Sequence, residues 1–94
     1  MCKDNQEMVK ELYQAFLKIE TIEECENFLN DLMTNKEIEA MSQRLMAAKL
    51  LLEDKTYNEV IKETDISSAT LSRVSRCIQY GSGGYKSIIQ KEIK

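Results

Sequence analysis

Apolar side chains recur every three or four residues along nearly the whole chain, the period of an amphipathic helix. Met8, Leu12, Ala15, Phe16 and Ile19 mark a first helix over residues 4–19. Val9, Tyr13 and Leu17 widen its stripe past half the circumference. A lone surface helix needs a narrower stripe, so this one is expected to meet two neighbours, one from another chain. Thr21-Ile22-Glu23-Glu24 reads as a capping box, with the Thr hydroxyl accepting a backbone N–H and the Glu reaching back. The helix after it turns Ile22, Cys25, Phe28, Leu29 and Leu32 inward. A second box, Thr34-Asn35-Lys36-Glu37, opens the longest helix. That helix runs to Glu53 and places Ile38, Met41, Leu45, Ala48 and Leu52 on one face. Glu53-Asp54-Lys55 is a polar break. A third box, Thr56-Tyr57-Asn58-Glu59, starts a short helix over residues 57–63. Thr64-Asp65-Ile66-Ser67 ends it, and Ser67 or Ser68 caps the next helix, which reaches Tyr80. A last helix covers residues 85–94 and carries Ile88, Ile89 and Ile93. The expected class is all-α with six helices, as a single domain over residues 1–94.

Composition supports the helices. There is no Pro, and all three Gly lie between Gly81 and Gly84, so residues 1–80 hold neither strong helix breaker. There is also no His, which removes Ser–His and Cys–His catalysis, His proton relays and His metal sites. No carboxylate pair stands out as an acid/base dyad. Cys2, Cys25 and Cys77 form no CxxC pair and read as reduced thiols, so no metal site and no cofactor is expected. The polar N-terminus lacks the apolar core of a signal peptide, and the longest apolar run is Leu50-Leu51-Leu52. A cytoplasmic protein without a membrane span is therefore expected.

The net charge of −3 conceals an asymmetry. Residues 1–40 carry four Lys and ten acids, whereas residues 41–94 carry nine Lys or Arg and six acids. From Ile66 onward there are five basic residues and one acid. Such a split fits nucleic-acid contact by one end, and it also fits ordinary solvated faces. Charge alone leaves both open.

The stretch from Tyr57 to Arg76 is more informative. A short helix, a tight turn and a longer helix make a helix-turn-helix, whose second helix enters the DNA major groove. Val60, Ile66, Leu71 and Val74 fall where such a motif packs its helices together. At 100° per residue, Leu71, Val74 and Ile78 gather on one side of the second helix. Ser68, Ala69, Ser72, Arg73, Arg76 and Gln79 gather on the other, with two Arg and no acid. Small residues allow close approach to the groove floor, Arg can bind guanine bidentately, and an Ala methyl can touch a thymine methyl. Ser67, Ser68 and the open N–H groups at the helix start suit a phosphate. Ile61 stands where the motif usually has a small residue, and Asp65 where it usually has Gly. Aspartate tolerates left-handed geometry better than most residues, so the turn is expected to survive. The bland alternative is a plain helical hairpin with a basic outer face.

Gln43-Arg44-Leu45 with the Leu51-Leu52 helix, then Lys55-Thr56-Tyr57, then Ser68-Ala69-Thr70-Leu71-Ser72-Arg73, resemble the Trp repressor family. The run from Ser72 to Tyr85 is similar to the signature of its YerC/YecD subgroup. The resemblance spans residues 8–90 and is strongest over 68–85. It implies an intertwined homodimer with interlocked N-terminal helices and a transcriptional regulator, a repressor, on a palindromic operator in double-stranded DNA. Residues 1–53 would then hold the dimerisation helices and residues 56–80 the helix-turn-helix. The expected DNA contacts are Ser68, Ala69, Thr70, Ser72, Arg73 and Arg76, with Thr56, Tyr57, Asn58 and Ser67 set toward phosphates. Arg44 and Arg73 match the two Arg that flank the indole of bound tryptophan in the Trp repressor. Val74 replaces the Gly that makes room for the ring, and Cys77 replaces a Ser that meets the amino group. Tight tryptophan binding is therefore not expected, and an effector pocket of Arg44, Arg73, Val74 and Cys77 is left without an identified ligand. Phosphate contact or a surface ion pair is the simpler role for the two Arg.

A second reading is a helical dimerisation or adaptor module that binds a protein partner. The acidic N-terminal half and the wide stripe of the first helix support it. Gly81-Ser82-Gly83-Gly84 reads as a hinge for the last helix, since neither a preceding strand nor a following Lys-Ser or Lys-Thr makes it a P-loop.

Overall fold

The computed structural model describes residues 4–91. Its order is α1 (Asn5–Leu17), α2 (Ile22–Leu32), α3 (Asn35–Leu52), α4 (Tyr57–Thr64), α5 (Ser68–Tyr80) and α6 (Gly84–Ile89). The fold is all-helical, with no strand among the described residues.

Local chemistry sets the helix starts. The Asp4 carboxylate accepts the Glu7 N–H at 2.9 Å and caps α1. The Thr21 hydroxyl accepts the Glu24 N–H at 3.0 Å. The expected return bond differs: the Glu24 carboxylate takes the N–H of Glu20, one residue before the cap, at 2.9 Å. At α4 the box closes fully, with Glu59 N–H on Thr56 Oγ1 at 3.2 Å and Thr56 N–H on Glu59 Oε1 at 3.0 Å. Ser67, rather than Ser68, caps α5 by accepting the Thr70 N–H.

The chain divides into two compact units, one reaching Asn35 and one starting at Lys36. In the first, the rings of Phe16 and Phe28 meet edge to face with centroids 5.8 Å apart, a favourable aromatic geometry that joins α1 to α2. Neither helix has a buried residue. Ile22 and Leu32 depart from the expected inward face and are 88% and 48% exposed. Two short helices packed on each other cannot shield apolar stripes this wide.

The second unit holds the core: Ala47, Ala48, Leu50, Val60, Ile66, Leu71 and Val74. Leu51, Ile61, Ile78, Tyr85 and Ile89 pack against it. On α3 the expected face holds in part: Ala48 is buried and Ile38, Met41 and Leu52 are half-buried, but Leu45 falls outside it. Ala47, Ala48 and Leu50 face inward, and Leu45 is 51% exposed. Apolar residues at 45–48 and 50–52 fit more than one stripe, so periodicity alone could not assign every position on this helix. Alanine at 47 and 48 leaves room in the cluster for Val60, Leu71 and Val74, which are fully or almost fully buried.

Both tight turns of this unit use left-handed aspartates. At the end of α3, Asp54 has φ 67°. Its N–H bonds Leu51 O and the Lys55 N–H bonds Leu50 O, each at 3.1 Å, the paired pattern of a Schellman motif. At the end of α4, Asp65 has φ 61° and its N–H bonds Ile61 O at 2.8 Å. The turn that needs left-handed geometry thus forms with Asp in place of Gly.

The last helix is shorter than the periodicity predicts. α6 begins after Gly83 at φ 81° and gives way at Gln90. Ile93 and Cys2 lie outside the described residues, and the Cys25 and Cys77 thiols are free. No described helix is long and apolar enough to cross a membrane.

Candidate nucleic-acid interface

The site is built on the α4–turn–α5 segment. Burial of Val60, Ile66, Leu71 and Val74 fixes which side of α5 faces inward. Ser68, Ala69, Ser72, Arg73 and Arg76 are consequently exposed. Ala69, Ser72, Arg73, Arg76, Cys77, Tyr80 and Gly81 line one open groove of about 480 Å³. No residue of α5 is acidic. The face thus offers two guanidinium groups among small side chains, a combination suited to base edges and phosphates.

Thr70 sits differently from the other expected contacts. It is half-buried, and the Ser67 hydroxyl donates to its Oγ1 at 2.8 Å. Thr56, Tyr57, Asn58 and Ser67 all reach the surface. The Thr56 N–H and hydroxyl are already used by Glu59. That carboxylate is held below its ordinary value of 4.5, first by the backbone N–H of Thr56, then by the Thr56 hydroxyl, with Lys55 nearby as a weaker cause. An ionised acid therefore stands among the residues expected to approach phosphate, a feature that the capping box required and that the reading of contacts overlooked.

Arg44, Arg73, Val74 and Cys77 come together as one cavity of about 360 Å³, completed by Thr70 and Tyr85. Val74 is buried in the core while bordering this space. Thr70 and Tyr85 were not expected there. Tyr85 lies at the far end of the glycine segment, and its approach depends on the path of that segment. Gly81 makes the path possible: a Cβ there would stand 2.5 Å from the Cys77 carbonyl oxygen. Its own N–H bonds the same oxygen at 2.9 Å. Among the described residues no group of three His, Cys, Asp or Glu is placed to hold a metal.

Known proteins resemble this chain over most of its length. The family model described as Trp repressor protein matches residues 7–93. The uncharacterized protein YerC of Bacillus subtilis (strain 168) is 40% identical over 81 residues, covering 86% of this chain and 78% of YerC. A TrpR-like protein from Eubacterium eligens ATCC 27750 is 38% identical, with a TM-score of 0.86 over 89% of this chain and 87% of that one. A candidate Trp repressor from Staphylococcus aureus is 41% identical, with a TM-score of 0.84 over 87% and 82% of the two chains.

Proposed function

Because this chain belongs to the Trp repressor family, we propose that it is a sequence-specific DNA-binding transcriptional regulator, a repressor that grips a palindromic operator as a homodimer. The observation that carries this reading is the outer face of α5, exposed, acid-free and bearing Arg73 and Arg76. Ser68, Ala69 and Ser72 bring the helix close to base edges, and the two Arg contact guanine or phosphate. Each good bidentate Arg contact discriminates its base by about 1–3 kcal/mol. Tyr57, Asn58 and Ser67 set the motif on the backbone, with Thr56 acting mainly through its cap. The work is done in the cytoplasm, and no catalytic step is involved.

Homodimerisation is supported by the exposed apolar side chains of α1 and α2, among them Met8, Leu12, Tyr13 and Leu17. In this reading residues 1–53 supply the dimer, 56–80 read DNA, and Tyr85 of the C-terminal segment borders the effector cavity. Two-fold pairing would space the recognition helices about 34 Å apart, one turn of DNA. The Arg44–Arg73 cavity is the natural place for an effector. Val74 occupies its border, so tight tryptophan binding is not expected, and a calorimetric titration showing micromolar affinity would sink that expectation.

The test is selection of bound fragments from the source genome, read by sequencing. A palindromic consensus with half-sites one helical turn apart is the expected result. Absence of any DNA affinity at low salt would favour a protein-binding adaptor, the reading that the exposed α1 stripe also supports.

A further inference from the structure

The turn between α4 and α5 decides where the reading face points, and three things hold it. Ile66 is buried in the core. The Thr64 hydroxyl donates to Val60 O at 2.7 Å and accepts the Ile66 N–H at 3.3 Å. The third hold comes from outside the segment: the Gln43 side-chain amide donates to the Thr64 carbonyl at 3.0 Å, across 21 residues of chain. Thr64 is the last residue of α4, so its carbonyl is one of the four that the helix cannot satisfy internally. Both donor and acceptor are part-buried. The next residue on α3, Arg44, borders the cavity shared with Thr70 and Arg73 of α5.

We infer that Gln43 is a positioning residue for DNA recognition. Its amide ties α3 to the hinge of the helix-turn-helix and sets the angle at which α5 leaves Asp65. The inference rests on the DNA-binding reading for its consequence, but the clamp itself acts in the free protein. Gln43→Met is the sharp variant, because it keeps length and bulk and removes the donor, leaving the Thr64 carbonyl unpaired.

Hydrogen exchange on the free dimer reads the clamp directly. In Gln43→Met, protection at the Asp65 and Leu71 amides is expected to fall by about threefold to tenfold, the equivalent of one neutral hydrogen bond. Protection at Ala47 and Ala48 stays nearly unchanged. An even loss across all amides, or none at the turn, overturns the inference whether or not DNA binds. Binding reads the consequence. Affinity for a genomic fragment selected by the unsubstituted protein falls about threefold to tenfold, while affinity for a random-sequence duplex of equal length holds. Equal loss on both duplexes, or on neither, contradicts a positioning role. If the unsubstituted protein binds no DNA, the functional reading fails and hydrogen exchange still decides the clamp. Should Gln43→Met not fold, Gln43→Asn, one methylene too short to reach Thr64, is expected to give the same local loss.

Discussion

The two units of this chain make opposite use of similar apolar content. From Lys36 on, Leu71, Val60 and Val74 are fully or nearly fully buried in a core shared by α3, α4 and α5. Before that point, α1 and α2 carry Met8, Leu12, Phe16, Leu17 and Ile22 at 36% exposure or more, with one aromatic contact between the helices. The first arrangement closes its hydrophobic surface within one chain. The second leaves a stripe that water disfavours, and a second copy can cover it. The charges divide along the same line, with acids concentrated before residue 40 and the acid-free helix α5 after it. The unit proposed to read DNA is thus self-contained, and the unit proposed to pair is not.

The largest expected effect sharpens this contrast. Leu71→Ala should cost about 2–5 kcal/mol by opening a cavity in the core. Leu12→Asp, on the exposed stripe, should instead make thermal stability and sedimentation strongly concentration-dependent while α3–α6 keep their hydrogen-exchange pattern. If the two variants lose stability in the same way, the division between a closed unit and a pairing unit is wrong.

Gly81→Ala comes next. The added Cβ would meet a backbone carbonyl, which cannot swing away as a side chain can. A cost of about 1–3 kcal/mol is expected in denaturant melts, with the strain felt at the end of α5 and at Tyr85. An unchanged midpoint would show that the α5–α6 connection can take another path.

The smallest effect concerns the cap of α4. Glu59 is held below its ordinary value of 4.5 by the Thr56 N–H and hydroxyl. A lowered folded-state value means that this group stabilises the fold fully above 4.5, and that the contribution is lost as pH falls through the lower folded-state value. Glu59→Gln should flatten that part of the acid limb in a pH series of melts and leave neutral DNA binding intact or slightly stronger. A steeper limb in the variant would contradict the assignment.

How much of this was legible in the sequence depended on whether the signal was local. The caps at Thr21, Thr56 and Ser67 rest on residues three apart, so their type and spacing announced them. The core of the helix-turn-helix was legible for a related reason: Val60, Ile66, Leu71 and Val74 have one workable arrangement across a tight turn. The orientation of α3 was legible only in part: Ala48 faces inward as its spacing implied, but Leu45 does not and Ala47 and Leu50 do, because the apolar residues fit two stripes and only packing against α4 and α5 chooses between them. The Gln43–Thr64 bond and the arrival of Tyr85 beside Arg44 and Arg73 depend on long-range placement, which no window of neighbouring residues encodes. The charge total misled most, since a sum over 94 residues cannot report which helix face the charges occupy.

The central claim is that the Arg73 and Arg76 face of α5 binds DNA, and fluorescence anisotropy on a selected genomic fragment tests it most directly. Arg73→Ala combined with Arg76→Ala should lower affinity by at least tenfold and make log affinity fall less steeply with log salt, since phosphate contacts are lost with the charges. Helical content and dimer mass should stay as in the unsubstituted protein. Unchanged affinity in a folded, dimeric double variant would contradict the account.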